Sequence, residues 1–414
     1  MCGAGMHTNN MTKQTITPKQ YSLQVTPIVI HDFNDLGSTL TTEFEGFFRT
    51  FFTQGVISIP DSFIKASAEV FSKFDKKQRI ALGDAYFNNF TVVTENLLAR
   101  KQYDVAFRLW TQILAFVKEW EDKNKPLKLH KGTPYYFSGV SSIHQNDFDA
   151  ALMSMHNALI EDKVNNPKWD EAPGYYFLTL NDQNGNQYFK PFVDGMVGFI
   201  RDRLDGQGAQ GGKYKNHYHK ARNGTLTYQQ FRSKFLDDKS VNEEVKYFFV
   251  YSIIRIWHLR RLHKSKVGDE LMAPLIFTSA LFSLLLVIDN LFKGWNNPGG
   301  SRWKFAAHLH ELAKSEGWIP SSTTIRNYMQ DLDVATRSEN DFEKWCKDLV
   351  GDGGRKYCTQ SGRKLSSIEA DFVLAYGLRN FSAHSIKSQK VLWDLYTHVL
   401  QSLLNSLFKV LEIS

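Results

Sequence analysis

Cysteine is scarce in this chain, which has only Cys2, Cys346 and Cys358 among its 414 residues. This scarcity excludes a scaffold built from several disulfides and a four-cysteine zinc site within one chain. It is typical of a reducing compartment, so we expect a cytoplasmic protein. His308 and His310 are two positions apart, so a helix would point them in different directions; His217 and His219 could chelate if extended, but no cysteine or cluster of acids supports them. We therefore expect no metal and no other cofactor.

Long apolar runs are also rare. Residues 1–14 contain none, so the sequence predicts no signal peptide. Residues 271–288 carry no charge, and their length reaches the lower limit for a membrane-spanning helix. They include Pro274 and three hydroxyl side chains, and Asp289 follows directly. We favour a buried core helix and expect no membrane partner, whereas a membrane-tethered protein would need detergent for recovery.

The composition is that of a folded protein. Apolar residues make up 42% of the chain, charged residues 22% and aromatic residues 14%, which excludes a disordered chain. The length is sufficient for two or three domains. The net charge of +7 permits a polyanion such as nucleic acid as a partner without requiring one.

The first part of the chain shows a helical pattern. Apolar residues recur every three or four positions from about residue 42 to residue 165. Residues 101–106 and 146–151 each place an aromatic residue and then Asp at the opening of an amphipathic helix. These segments resemble the turn between the helices of tetratricopeptide-type hairpins. We expect a helical-hairpin domain over residues 1–170; the alternative is an ordinary all-α domain with two similar turns.

The middle of the chain reads as a junction over residues 171–239. Residues 175–180 are strand-like, and the Asn184-Gly185 pair that follows is typical of a β-hairpin turn. We therefore expect a small β-hairpin here. The glycine-rich residues 206–212 predict a mobile loop or linker.

Two basic segments are candidates for RNA binding. In the first, cations alternate with tyrosine and histidine, which suits an RNA backbone and stacked bases; these cations are Lys213, Lys215, Lys220 and Arg222. The alternative is a solvated loop. In the second, Arg260 and Arg261 lie near the end of a predicted helix, where cations are common in any protein.

Residues 240–414 are helical again. Capping-box patterns at Ser240/Glu243 and Ser366/Glu369 predict two helix starts. We expect shorter helices near residues 301–316, 323–333 and 340–349, and a long apolar helix at the end. The sequence thus predicts a mostly α fold with a helical bundle as its last domain.

The strongest chemical signal combines Arg379, Asn380 and His384, just before the last helix. Histidine transfers protons near neutral pH, and arginine binds phosphate and offsets charge that develops on it. Asp289 is a candidate partner for Arg379, although a solvent-facing helix end is the commoner place for such an acid.

These residues resemble the motif of the HEPN superfamily of ribonucleases, which is an Arg, a polar residue and then a His a few positions later. The resemblance covers roughly residues 240–414. It implies a helical bundle with the motif at the end of the third main helix. It also implies metal-independent endoribonuclease action, in which His384 handles the proton of the ribose 2′-OH or of the leaving 5′-oxygen. Arg379 would hold the scissile phosphate, and Asn380 would orient the phosphate or the histidine.

The family resemblance has further implications. Each chain carries one motif, and the family builds its site across a two-fold dimer, so we expect a homodimer with a composite site. Such enzymes recur as toxins and anti-phage defence effectors, with a regulatory protein or a nucleotide as the candidate partner of the N-terminal half. Because some members are inactive, the alternative is a non-catalytic adaptor that dimerises through its bundle.

Overall fold

Over the residues that it describes, the computed structural model is mostly helical, which confirms the predicted mostly α fold. Among the residues that it describes, the one β feature is an isolated bridge between Cys358 and Lys364. The described residues are 53–54, 87, 90–91, 93–123, 125, 128, 130–181, 188–205, 217–265, 272–295, 305–332, 339–354, 356–381 and 389–414.

The helices are numbered here from the first long one, and a helical segment over residues 93–99 precedes it. The helices are α1 Tyr103–Lys123, α2 Gly132–Gln145, α3 Phe148–Asn165, α4 Pro173–Leu178, α5 Lys190–Leu204, α6 His217–Arg222, α7 Tyr228–Phe231, α8 Glu243–Ser265, α9 Met272–Trp295, α10 Phe305–Ser315, α11 Ile325–Leu332, α12 Glu339–Val350, α13 Ser367–Phe381, α14 Gln389–Asp394 and α15 Tyr396–Ile413. A π-helical turn over Arg232–Leu236 extends α7, and a 3₁₀ turn over Gly351–Gly354 follows α12.

The chain divides into two compact units, Met1–Gly174 and Tyr175–Ser414. The first boundary lies close to the predicted one. Residues 175–239, however, belong to the second unit instead of forming a separate junction. The physical reason is packing, because the ring of Phe231 lies 5.6 Å from that of Phe249 and 5.8 Å from that of Phe408.

The first unit contains helical hairpins, as expected. The two similar sequence segments form the same turn, in which Lys101 and Asn146 adopt left-handed φ values of +59° and +62°. In each turn the N–H of the next residue, Gln102 or Asp147, donates over 2.9 Å to the carbonyl five positions earlier. This is the Schellman helix end. Asp147 then caps α3 by accepting from the N–H of Ala150.

The predicted β-hairpin is wrong at its first strand. Residues 175–178 lie in α4, and Pro173 at the start of that helix suits a position where no N–H is needed. Phe177 and Leu178 are buried, which explains the error, because a short buried apolar run does not distinguish strand from helix. The Asn184-Gly185 pair lies outside the described residues.

The four longest helices that the structure describes in the second unit after residue 240 are α8, α9, α13 and α15. Helix α8 packs along α9, and both α9 and α13 pack against α15. The apolar stripe predicted for the last helix is fully buried at Leu403, Leu404 and Leu407. This last helix, α15, begins at Tyr396, and Leu395 separates it from the short helix α14.

Helix α9 contains the uncharged segment identified in the sequence and continues through Asp289 and Lys293. Within the described part of the chain, Met272–Gly294 is the one helix long and apolar enough to cross a membrane, and half of its most apolar window is buried in the protein. Phe277 contacts the rings of Trp393 and Tyr396, at 5.8 and 4.4 Å between centroids. The inner face of α9 therefore forms part of the core of the second unit.

The two predicted capping boxes have different outcomes. Helix α8 begins at Glu243, and the side chain of Asn242 caps it by accepting from the N–H of Glu244, so Ser240 is not the cap. Ser366 does cap α13, since its Oγ accepts from the N–H of Glu369 at 3.2 Å. The Glu369 carboxylate does not turn back toward Ser366, because it accepts two hydrogen bonds from Arg363.

Candidate functional site

Two residues of the motif, Arg379 and Asn380, lie in the last turn of α13. The inner face of this helix is buried through Phe372, Val373 and Leu378, which leaves the last turn at the edge of the bundle. The Arg379 side chain is 32% exposed, and Asn380 is exposed. His384 lies outside the described residues. The structure therefore places two of the three predicted site residues, and it places both at one helix end.

Arg379 forms an ion pair with Asp289, which lies on α9. The Arg379 Nη2 atom is 3.1 Å from the Asp289 Oδ2 atom. The Asp289 side chain is only 3% exposed, so it is not the solvent-facing acid that helix ends commonly carry. The candidate pairing of these two residues is confirmed, and it connects positions 90 residues apart in the chain.

Asp289 also serves a second cation. The Lys293 Nζ atom, one turn later on α9, is 3.0 Å from the same Oδ2 atom, and its side chain is 46% exposed. The Asp289 Oδ1 atom is buried and accepts no hydrogen bond from the described residues. One buried carboxylate thus anchors two cations that both reach the surface.

His308 of α10 is buried beside this group. Burial lowers its pKa; the negative charge of Asp289 opposes that effect, and Lys293 adds to it. The ring of His308 lies 5.5 Å from that of Phe292. Because a lowered pKa favours the neutral ring, the net charge of the group at neutral pH comes from the carboxylate, Lys293 and Arg379.

This arrangement suits the binding of an anion. The described contacts of Arg379 engage one of its terminal nitrogens, and a guanidinium has several further N–H donors. About a third of the side chain is open to solvent, so a phosphate oxygen has access to it. Arginine is well matched to phosphate because its planar fork can donate two parallel hydrogen bonds.

The cations of the first predicted RNA-binding segment have different fates. Lys220 is exposed on α6. Arg222 is only 6% exposed, and its Nε and Nη2 atoms donate to the two carboxylate oxygens of Asp371 at 2.5 and 3.1 Å. The RNA-binding prediction for Arg222 is corrected accordingly: a buried carboxylate on α13 needs a counter-charge, and Arg222 supplies it. Lys213 and Lys215 lie outside the described residues.

In the second segment, Arg260 is half-buried, with its guanidinium carbon 5.7 Å from the ring centroid of Phe199. Arg261 continues α8. His263, near the end of the same helix, stacks on Tyr396 at 4.8 Å. Some side chains at the C-terminal end of α8 therefore pack against residues of the core.

Sequence reasoning missed a buried polar cluster around Asp371. This carboxylate also accepts from the Asn405 Nδ2 atom at 2.9 Å, and Asn405 lies 3.4 Å from the Nδ1 atom of His217. Burial raises the pKa of Asp371, although the charge of Arg222 opposes the rise. Burial and the charge of Arg222 lower the pKa of His217 to about 4. The available signal was a polar residue on an otherwise apolar helix face, and the cluster joins α6, α13 and α15.

No group of three or more His, Cys, Asp or Glu side chains that could hold a metal ion occurs among the residues that the structure describes. His308 and His310 are both buried, and the Nε2 atom of His310 is 2.8 Å from the carbonyl oxygen of Thr323. The two histidines therefore have separate surroundings.

The chain was compared with protein-family models, characterised proteins and solved structures. No protein-family model, no characterised protein and no solved structure matches this chain. The resemblance to HEPN ribonucleases accordingly depends on the motif residues themselves.

Proposed function

We propose that the second unit is a metal-independent endoribonuclease of the HEPN type, with Arg379, Asn380 and His384 as its catalytic residues. The observation that carries the proposal is the position of Arg379. It lies at the C-terminal end of α13, the third of the four longest described helices in residues 240–414, partly exposed and anchored on a buried acid. The motif pattern itself comes from the sequence.

The reaction is an internal transfer within RNA. The ribose 2′-oxygen attacks the neighbouring phosphorus, and the bond from phosphorus to the 5′-oxygen breaks. The 2′-OH loses its proton to a base, and the leaving 5′-oxygen receives one from an acid. The products are a 2′,3′-cyclic phosphate and a 5′-OH end, and no metal is required.

The three residues divide this work. His384 transfers the proton at the 2′-oxygen or at the 5′-oxygen, a role that suits a side chain titrating near neutral pH. Arg379 binds the scissile phosphate and offsets the charge that develops on its oxygens. Asn380 orients the phosphate or the histidine. In a homodimer, two copies of Arg379 and His384 line one cleft, so that one histidine acts as base and the other as acid.

Several further assignments belong to the same proposal. Lys220, Lys213, Lys215, Arg260 and Arg261 contribute to binding of the RNA backbone. The first unit receives a regulatory protein or nucleotide, and the enzyme acts in the cytoplasm as a defence or toxin effector.

The proposal is tested by RNA cleavage in the presence of EDTA, with product ends mapped. We expect the wild type to leave 5′-OH ends, and Arg379→Ala and His384→Ala to lose at least about 100-fold in rate, the usual scale for such groups. Arg326→Ala is the matched control, because Arg326 is an exposed arginine of the same unit, and it should keep wild-type activity.

Equal cleavage by all four proteins would contradict the proposal, since it would indicate a contaminant or another site. Absence of cleavage by every protein would favour the adaptor alternative. Expression in cells then separates the adaptor from an enzyme that needs an activator: only an enzyme slows growth in a manner that His384→Ala relieves.

A further inference from the structure

The buried carboxylate of Asp289 has an unusual setting. Its side chain is 3% exposed, yet both of its cationic partners reach solvent, with 32% exposure at Arg379 and 46% at Lys293. Burying a carboxylate is costly unless it is paired, so a protein that only needed stability would do better with an apolar residue here. The contact with Asp289 holds one nitrogen of the Arg379 guanidinium and leaves the rest of that side chain partly open to solvent.

We propose that Asp289 is a positioning residue of the ribonuclease site, which holds the Arg379 guanidinium so that its remaining donors face the scissile phosphate. This inference depends on the proposed function. The reason is geometric: an arginine at a helix end has many rotamers, and a fixed contact to a neighbouring helix selects among them.

Asp289 is flanked along α9 by buried, well-packed side chains. Ile288 and Phe292, on either side of Asp289 along α9, are fully buried. The ring of Phe292 lies 5.2 Å from that of Phe372 on α13 and 5.4 Å from that of Phe305 on α10. Helices α9 and α13 are therefore packed together beside the ion pair. Asp289 is thereby held at a defined place relative to Arg379.

A second acid–arginine pair on α13 shows what a purely structural contact looks like in this protein. Arg222 uses two nitrogens on Asp371, and both side chains are buried, at 6% and 1% exposure. Arg379 uses one nitrogen on Asp289 and stays partly exposed. The Arg222–Asp371 pair leaves little of the guanidinium for a ligand, whereas the Arg379–Asp289 pair leaves several N–H donors open. Asp371→Asn is therefore a matched control for Asp289→Asn.

The experiment compares the kcat and KM of the full chain for RNA cleavage with EDTA present. We expect Asp289→Asn to lower kcat about 100-fold, the scale on which a misplaced catalytic group acts, with little change in KM. Asp371→Asn should lower the melting temperature more than Asp289→Asn does and keep kcat near wild type. Circular dichroism gives the folded fraction of each variant, to which the rates are normalised.

A double variant separates positioning from general damage. In the Arg379→Ala background, Asp289→Asn should cause no further loss, because its effect is exerted through Arg379. Additive losses, or wild-type kcat in Asp289→Asn, would overturn the positioning role while leaving the ribonuclease intact. If Arg379→Ala cleaved as well as wild type, the proposed function would fail, and the role of Asp289 would fail with it.

Asp289→Glu covers the case in which Asp289→Asn does not fold. It keeps the negative charge and so the ion pair, but the extra methylene displaces the guanidinium. A kcat clearly below wild type in folded Asp289→Glu supports positioning. A wild-type kcat would show that the charge is needed only for folding.

Discussion

At the scale of single residues, three cations that look alike in the sequence have three different roles in the structure. Lys220 is exposed, Arg222 neutralises a buried acid, and Arg379 is partly exposed with an acid behind it. The environment determines the role, because a charged side chain is available to a ligand only where it is neither buried nor fully paired.

This difference predicts that substitution of Arg222 affects stability, whereas substitution of Lys220 affects RNA binding. Arg222→Ala leaves Asp371 buried without its cation, which should lower the free energy of unfolding by about 3–5 kcal/mol. Lys220→Ala should change it by less than about 0.5 kcal/mol, as surface substitutions do, but should weaken RNA binding and its salt dependence. Urea unfolding and RNA titration at two salt concentrations measure both quantities. Unchanged stability in Arg222→Ala would show that the buried pair contributes nothing.

At the scale of elements, several helices and turns end at a residue in the left-handed conformation. The repeated turn at Lys101 and Asn146 uses a left-handed residue, and glycine provides the same conformation elsewhere. Gly317 follows α10 with a φ of +68°, and Gly354 closes the 3₁₀ turn after α12 with a φ of +82°. The two positions differ in the space around them.

Replacing each of these glycines by alanine tests the effect of space at constant backbone strain. A Cβ at Gly317 meets nothing within 4 Å, so Gly317→Ala should cost only the left-handed conformation, about 1 kcal/mol. A Cβ at Gly354 would lie 2.2 Å from the Ala370 Cβ, so Gly354→Ala should cost a further 1–3 kcal/mol or so. Thermal unfolding of both variants measures the difference, and equal costs would mean that α13 moves away freely.

At the scale of the whole molecule, Arg379 and the acid that it pairs with, Asp289, both belong to the second unit, Tyr175–Ser414. Each chain carries one such motif. Transfer of protons at both the 2′-oxygen and the 5′-oxygen is simplest with two histidines. The proposed chemistry therefore favours two chains around one cleft.

Sedimentation equilibrium provides the test of this arrangement. We expect a dimer at the concentrations used for cleavage, and a specific activity that falls on dilution below the dissociation constant. Arg379→Ala, in which one polar contact is removed at an edge of the bundle, should sediment as the wild type does. A strict monomer with full activity would contradict the composite site.

The sequence alone determined the class of the fold and the location of the motif. Helical periodicity, the Ser366 cap and the buried stripe of α15 could be read locally, because they depend on residues a few positions apart. The strand predicted for residues 175–180 is wrong because a short apolar run has no periodicity of its own to distinguish strand from helix. Only the tertiary structure decided the partners: Asp289 meets Arg379 across 90 residues, and Arg222 meets Asp371 across 149. Such contacts form when packed helices bring distant positions together, and burial then determines which charges must be neutralised and which stay open to a ligand.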